Sequence, residues 1–321
     1  RNPLGTYIVH RLLQGIPVLL IISAVVFAVV AFIPGDPAAV ILGHAATPEN
    51  VAALRHQMGL DKPLPLGYAS WLSQVMQGNL GSSILSRQPV WTLIGRALPI
   101  TLYLTIFSLL IALAISVPAG TIAGLRRNSW LDVGFTTWAF LGVSIPGFWL
   151  AIVFVYVFGV LLGWVPLQGY ISLREDPIES LKTMVLPALT LGVLLSGPLT
   201  RYLRSSILQT LSQEFVLVAH AKGLSERKVI AGHILRNSLI PFVTVLGVQF
   251  SYLIGGAVIV ENVFALPGIG DLVVSAIGNR DYPVIQGVVL VVAAGIVFIN
   301  MVVDILYAIL EPRIRIGQGS V

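Results

Sequence analysis

Cysteine is absent from this chain of 321 residues, and charged residues are scarce. The absence of cysteine excludes disulfides, thiolate metal sites and cysteine nucleophiles together. Only 10% of the residues are charged, against roughly 25% in a typical soluble domain. By contrast, 56% are hydrophobic and the mean hydropathy is +0.90. Because so few charges do not cover a water-facing surface, the composition predicts a multi-span membrane protein.

A phosphate loop is also missing, since the sequence contains no G-x-x-x-x-G-K-[ST] motif. No polar stretch is long enough to hold a nucleotide-binding domain. The formal net charge of +5 does not indicate nucleic acid, because the basic residues are spread over short loops. The 5 histidines share no helical face. We therefore expect no cofactor, no metal ion and no nucleic acid on this chain.

Long apolar stretches are what the sequence does contain. A membrane-spanning helix needs about 20 apolar residues, and six stretches meet that length. They lie at 12–33, 97–125, 133–164, 183–200, 239–260 and 284–310. The sequence therefore predicts an all-α polytopic membrane protein with six transmembrane helices embedded in a lipid bilayer.

The basic residues predict the orientation of these spans. With both termini in the cytoplasm, twelve of the 19 lysines and arginines lie inside and seven lie outside, as the positive-inside rule expects. The predicted parts are an N-terminal segment with the first span, an external segment with short helices, and a core of five spans. Their boundaries are 1–33, 34–96 and 97–321, and the core contains a cytoplasmic loop at 201–238 and an external loop at 264–283.

The external segment 34–96 is predicted to have helices of its own. Thr47 and Pro48 suit the N-cap and first position of a helix, which Gly59 would end. A second helix around 68–76 would end at Gly78. Two interpretations stay open, namely interfacial helices lying on the bilayer and a lip that contacts an external partner.

A basic polar segment at 214–241 separates the fourth and fifth apolar stretches. Its pattern predicts a helix, a turn and a second helix. Gly223 would adopt the left-handed conformation that ends the first helix, and the Ser225 side chain would cap the second. A rigid polar hairpin on a membrane domain is a surface on which another protein can act.

Ordered motifs along the whole chain carry a family resemblance. They are FIPGDP at 32–37, MGLDKP at 58–63, GNLGSS at 78–83, VAHAKGLSERKVIAGHILRNSLIP at 218–241, ENVFALPGIGDL at 261–272, RDYPVIQG at 280–287 and VDILYAILEPRIR at 303–315. The chain resembles the permease subunits of binding-protein-dependent ABC importers, and more narrowly the dipeptide, oligopeptide and nickel permease family. The resemblance implies the type I importer permease fold and a multi-pass location in the bacterial inner membrane.

The segment 214–241 departs from the general loop pattern of these importers. That pattern is Glu-Ala-Ala, three residues, Gly, nine residues, then Ile-x-Leu-Pro. With its Gly on Gly223, the first triplet becomes 217–219, so the Glu and one Ala are absent. The distal element falls at 233–236, and its proline is displaced to Pro241.

The resemblance implies that this segment couples the chain to an ATPase subunit. Small side chains at Ala219 and Ala221 would leave room to enter a cleft, and the basic residues would meet acidic or carbonyl groups. The implied coupling residues are Leu217, Val218, Ala219, His220, Ala221, Lys222, Gly223, Leu224, Ser225, Arg227 and Lys228. The alternative is an amphipathic helix that lies on anionic lipid.

Further partners and sites are implied in the same way. The partners are a second homologous permease, two ATP-binding subunits or a fused one that carry the ATP and Mg²⁺, and an external substrate-binding protein. The residues implied to face the binding protein are Phe264, Pro267, Gly268, Ile269, Gly270, Asp271, Arg280 and Asp281. At the inner rim, Asp304 is expected to pair with a basic residue such as Arg201, Arg204 or Arg313.

The cargo favoured by the resemblance is a di- or oligopeptide, and nickel chelates or another small solute are the alternative. An ion-coupled secondary transporter would need ionisable groups at mid-membrane, whereas Asp132 and Asp304 lie near span ends. An intramembrane aspartyl protease would use the GxGD at 268–271, but the PAL at 187–189 precedes it and no span contains a Tyr-Asp pair. The sequence thus favours a non-catalytic permease subunit.

Overall fold

The computed structural model describes residues 3–32, 37–42, 46–57, 63–166 and 169–310. Its longer helices are α1 (Pro3–Phe32), α5 (Val90–Leu125), α6 (Trp130–Ser144), α8 (Pro177–Leu211), α11 (Arg236–Phe264) and α13 (Tyr282–Leu310). Its shorter helices are α2 (Pro37–Leu42), α3 (Pro48–Gln57), α4 (Leu64–Met76), α7 (Gly147–Phe154), α9 (Glu214–Ala221), α10 (Glu226–Val229) and α12 (Ile269–Gly278). Two π-helical turns, Val155–Leu161 and Ile230–Leu235, continue α7 and α10.

Five stretches of the described chain are helical, long and apolar enough to cross a membrane. They are Arg11–Val29, Val90–Leu125, Pro177–Leu211, Glu226–Phe264 and Tyr282–Ile305. A bent pair of helices, α6 and α7, is a sixth candidate if both count as one span. The all-α polytopic architecture is therefore confirmed, while the orientation stays a prediction from the charges.

The third predicted span, at 133–164, is not a straight helix but a bent pair of helices that together are apolar enough for one span. The axes of Trp130–Ser144 and Gly147–Leu161 differ by 103°. Pro146 has no N–H to donate and disfavours helical angles in the residue before it. Ile145 accordingly has the extended angles φ −82° and ψ 124°, and the helix restarts at Gly147.

Polar side chains fix several helix starts. Asp176 Oδ1 accepts hydrogen bonds from the amides of Ile178 at 2.9 Å and Glu179 at 3.1 Å, which starts α8 several residues before the predicted 183. Thr47 Oγ1 accepts from the Asn50 amide at 3.3 Å, so the predicted cap of α3 is confirmed. Its predicted end at Gly59 lies outside the described residues.

The larger of two compact units comprises Arg1–Leu4, Ile100–Pro267 and Ile299–Val321. Helix α8 is the most deeply buried of its spans. A Cβ added at Gly120 would lie 2.9 Å from Leu203 Cβ, and one added at Gly197 would lie 2.7 Å from the Ala139 carbonyl oxygen. Glycine thus allows α5 and α6 to approach α8 closely.

The close approach at Gly197 gives a testable prediction. We expect Gly197→Ala to destabilise the chain by about 1–3 kcal/mol, because the added methyl group meets backbone atoms that cannot rotate away. The measurement is the thermal midpoint of the detergent-purified protein. Gly255→Ala in α11 is the matched control, since its Cβ would meet nothing within 4 Å. Equal midpoints for the two variants would contradict the packing argument.

The smaller unit comprises Gly5–Pro99 and Gly268–Phe298. Tyr68 and Trp71 of α4 pack against Phe27 of α1, with ring centroids 5.7 Å from the Phe27 ring in both cases. The Tyr68 hydroxyl also lies 2.8 Å from Ser23 Oγ. The buried core of this unit consists of Leu80, Val90, Ile94, Ala97, Ile269, Ala276, Val284 and Val288. The described part of the external segment therefore packs against α1, α12 and α13.

Candidate functional site

The polar segment folds as a helical hairpin, which we define as residues 214–235. Helix α9 ends in a glycine turn in which Gly223 has φ +74°. The Gly223 amide donates to His220 O at 2.9 Å, and the Leu224 amide donates to Ala219 O at 3.4 Å. This pair of bonds is the Schellman arrangement that ends a helix with a left-handed residue. The left-handed conformation predicted for Gly223 is confirmed.

The second arm of the hairpin begins at Ser225. This residue occupies the N-cap position of α10, but its hydroxyl makes no capping bond, so that part of the prediction was wrong. Its backbone oxygen instead accepts from the amides of Lys228 at 2.8 Å and Val229 at 3.1 Å. Across the turn, His220 Nε2 lies 3.4 Å from Glu226 Oε2.

One side of the hairpin is anchored in the core of the larger unit. The anchoring side chains are Val216, Ala219, Val229 and Ile234. Ala219 is only 3% exposed. Its predicted place against a partner cleft was therefore wrong, because an inward-facing position on α9 packs onto the chain's own apolar core.

The opposite side of α9 exposes apolar side chains. Leu217 is 75% exposed and Val218 is 49% exposed, and Ala221 is exposed one turn after Leu217. The basic residues Lys222, Arg227 and Lys228 are also exposed. We call Leu217, Val218 and Ala221 the apolar face of the hairpin. Such a face next to exposed cations fits an apolar partner surface with an acidic rim.

Hydroxyl groups join the helices on which the hairpin stands. Ser206 Oγ of α8 donates to Ser238 O of α11 at 3.0 Å. Ser238 Oγ donates to Thr210 Oγ1 at 2.9 Å, and Thr210 Oγ1 donates back to Ser206 O at 2.8 Å. All three residues are buried. A satisfied buried network of this kind rigidifies its surroundings, so it links the base of both arms.

An ion pair joins α6 to α8. Its arginine lies on α8, about one and a half helical turns before Thr210. Arg204 donates from Nε to Asp132 Oδ1 at 2.5 Å and from Nη2 to Oδ2 at 2.8 Å. The Asn128 amide also donates to Oδ2, at 2.9 Å. This bidentate pairing of Arg204 with Asp132 was not predicted. The guanidinium of Arg201 lies 5.2 Å from the centre of the Phe140 ring.

Asp304, which was predicted to form an ion pair with a basic residue at the inner rim, does make an interaction. The identity of its basic partner stays a prediction. Arg313 lies outside the described residues.

The predicted external loop at 264–283 is mostly helical. Helix α12 occupies Ile269–Gly278, and Gly268 and Gly270 have ordinary angles. The left-handed residues are Ala265 with φ 52° and Arg280 with φ 55°. The turns on either side of α12 therefore take their left-handed angles at residues other than glycine. Phe264, Gly268, Ile269, Gly270 and Asp281 are buried, whereas Pro267 and Arg280 are exposed and Asp271 is half-buried.

Asp281 holds a loop of the external segment rather than facing outward. Its Oδ2 accepts from Ser83 Oγ at 2.5 Å, and its Oδ1 accepts from the Ile84 amide at 3.0 Å. The Leu85 amide lies 3.5 Å from Oδ2. Ser82 and Pro89 form a β-bridge that closes this loop. Asp281 is 4% exposed, so its carboxylate is part of the framework.

Comparison with known families identifies the chain. A family profile described as binding-protein-dependent transport system inner membrane component matches residues 116–316. The N-terminal profile of the same kind of component matches residues 4–105. The chain belongs to this family.

The sequences of individual relatives align with the permease over almost its full length. It is 42% identical over 308 residues to a protein of Brucella abortus named as a peptide transport system permease, covering 96% of this chain and 98% of that protein. It is 41% identical over 309 residues to the glutathione transport system permease protein GsiC of Salmonella typhi, with coverage of 96% and 98%.

Solved structures show the same fold. The inward-facing MetNI methionine ABC transporter aligns with a TM-score of 0.55 and 18% identity, covering 68% of this chain and 96% of that chain. A further match, to an amino acid ABC transporter, has a TM-score of 0.50 and 15% identity, covering 69% and 94%. By its family profile and its full-length relatives, the protein is a multi-pass inner-membrane permease subunit of a binding-protein-dependent transport system.

The structure brings together most of the coupling residues predicted for the permease. Leu217, Val218, Lys222, Arg227 and Lys228 are exposed on one hairpin, although their contact with an ATPase stays a prediction. The partners of Asp132 and Asp281 were missed. Ser129, three residues before Asp132, is a sequence signal for the start of α6. Its Oγ accepts a hydrogen bond from the Asp132 amide at 3.2 Å. No signal in a single sequence links Asp281 to Ser83.

Proposed function

We propose that this permease forms half of a translocation pore for di- and oligopeptides, paired with a second homologous permease subunit. The peptide cargo is supported by relatives that are named for peptide and glutathione transport and match 96% of the chain. Glutathione is itself a short peptide, so both names point to one chemical class. An external binding protein would deliver the cargo.

ATP hydrolysis is assigned to partner subunits in this proposal. Two ATP-binding subunits, or a fused one, would carry the ATP and Mg²⁺, and the permease itself would be non-catalytic. The absence of a phosphate-loop motif from the sequence supports this division of labour. The permease would contribute the pore and the surface on which the ATPase acts.

The observation that carries the proposal is the apolar face of the hairpin. A side chain as exposed as Leu217 on a polar segment outside the predicted spans marks a protein contact when it has apolar neighbours. The opposite side of α9 is anchored by Val216 and Ala219, and the hydroxyl network joins its base to α8 and α11. A force on the apolar face would therefore move both helices.

The division of labour is tested by ATP hydrolysis. The purified chain alone is expected to show no turnover, while the complex with its partner subunits hydrolyses ATP and is stimulated by the peptide-loaded binding protein. Proteoliposomes of the complex are expected to accumulate a tripeptide in an ATP-dependent manner. Turnover by the isolated chain, or a complex that is equally active without it, would overturn the proposal.

A further inference from the structure

The relative positions of α6 and α8 give a scale of depth along the larger unit. Asp132 pairs with Arg204, and Ala139 faces Gly197, so the two helices run antiparallel in close contact. At about 1.5 Å per residue, Phe140 lies roughly 12 Å beyond Asp132 along α6. A group beside Phe140 therefore lies beyond the Asp132–Arg204 pair, within the apolar length of α6.

Arg201 reaches toward that depth. Its guanidinium carbon lies 5.2 Å from the centre of the Phe140 ring. Arg204, only three residues further along α8, instead contacts Asp132, near the start of α6. Side chains on a helix lean toward its N-terminus, and Arg201 follows this direction. It therefore does not extend toward the Leu211 end of α8, as a snorkelling arginine would.

A guanidinium at this depth needs water or an anion. Ionisable side chains inside membrane spans face a protein interior or a water-filled cavity, because exposure to hydrocarbon is costly. Arg201 is exposed on the surface of this chain, and the buried carboxylate of α6, Asp132, pairs with Arg204 instead. Phe140 supplies only the face of a ring below the cation.

The exposed side of α8 near Arg201 is polar. It carries Arg201, Tyr202, Ser205 and Gln209, while Leu203 and Ile207 point into the core. The large exposed side chains of α6 are apolar instead, as at Val133, Leu141 and Val143. Lipid-facing surfaces are apolar, so this polar stripe on the most buried span is suited to water rather than lipid.

We infer that Arg201 lines the translocation pathway and binds the terminal carboxylate of the passing peptide. The planar guanidinium can donate two parallel hydrogen bonds to a carboxylate, and the Phe140 ring covers one of its sides. The identity of the anion rests on the proposed function, because a peptide carries such a carboxylate. The place of Arg201 in a water-filled path does not depend on the cargo.

The first experiment tests the placement, and it uses the absence of cysteine from the chain. Arg201→Cys and Ser205→Cys are introduced singly into the assembled complex and treated with a membrane-impermeant thiol reagent. Both cysteines are expected to react at least tenfold faster than the control Leu110→Cys on an exposed apolar position of α5. Protection of both, or equal reaction of the control, would overturn the placement.

The second experiment tests the carboxylate. At saturating tripeptide-loaded binding protein, Arg201→Gln is expected to lower tripeptide uptake per ATP hydrolysed about 10- to 100-fold, as loss of a charge-assisted hydrogen bond predicts. Arg201→Lys should retain most of the uptake, and the control Arg126→Gln, in the exposed turn before α6, should retain all of it.

Unchanged uptake with Arg201→Gln would overturn the assignment, and so would loss of the second permease from the complex, which would make Arg201 a subunit contact. A wild-type complex that carries no tripeptide, while Arg201→Cys still reacts, would refute the peptide cargo and leave the pathway position standing.

Discussion

Leu217→Asp is expected to release the ATPase subunits from the permease while leaving the permease folded. Leu217 is the most exposed apolar side chain of the hairpin, at 75%, and it faces away from the core. A central apolar contact typically contributes 2 kcal/mol or more to an interface, which corresponds to roughly 30-fold weaker binding. The measurement is co-purification of tagged ATPase with the permease, together with tripeptide uptake in cells.

Two matched variants make the result specific. Leu173→Asp introduces the same change at an exposed leucine outside the hairpin, and it should leave attachment unchanged. Gly223→Val should also weaken attachment, because a left-handed angle costs a β-branched residue about 1–2 kcal/mol, although no neighbouring atom lies within 4 Å. Full attachment with both Leu217→Asp and Gly223→Val would favour the alternative in which α9 lies on lipid.

Asp281→Ala is expected to open the loop around Ser82–Pro89 without unfolding the spans. The variant removes an acceptor used by Ser83 Oγ and the Ile84 amide. Hydrogen bonds to a charged group contribute about 1.5–3 kcal/mol each, so a loss of about 3 kcal/mol would raise the open population roughly 100-fold. Trypsin cleavage after Arg87, which is exposed in this loop, measures that population.

The control for this prediction is Ser83→Ala, which removes one donor and keeps the backbone contact to Asp281. It also removes the acceptor of the Ser86 amide, but the charged Asp281 keeps the Ile84 amide, so the cleavage rate after Arg87 should rise less than in Asp281→Ala. Cleavage at the wild-type rate in Asp281→Ala would show that the carboxylate does not hold the loop.

Local chemistry was largely predictable from the sequence. The left-handed angle at Gly223 and the capping of α3 by Thr47 follow from preferences of single residues, and both were confirmed. Pro146 is visible in the sequence as a helix breaker. Whether a proline bends a helix slightly or by 103°, as here, depends on the packing around it, which a single sequence does not display.

Contacts between distant parts of the chain were not predictable. Ser83 and Asp281 are separated by 198 residues, and Asp132 and Arg204 by 72. Each residue alone is a common polar side chain near a helix end. The inward position of Ala219 was not predictable either, because alanine is compatible with both a buried and an exposed site. Only the rotation of α9 against the core decides between them.

Site-directed cross-linking tests most directly whether the hairpin contacts the ATPase subunit. Leu217→Cys provides the only thiol in the chain, and a short bifunctional reagent can join it to a neighbouring subunit in the assembled complex. We expect a cross-link from Leu217→Cys to the ATPase subunit and none from the control Leu173→Cys. A cross-linked product that contains no ATPase, in a complex that still transports peptide, would contradict the assignment of the hairpin as the coupling element.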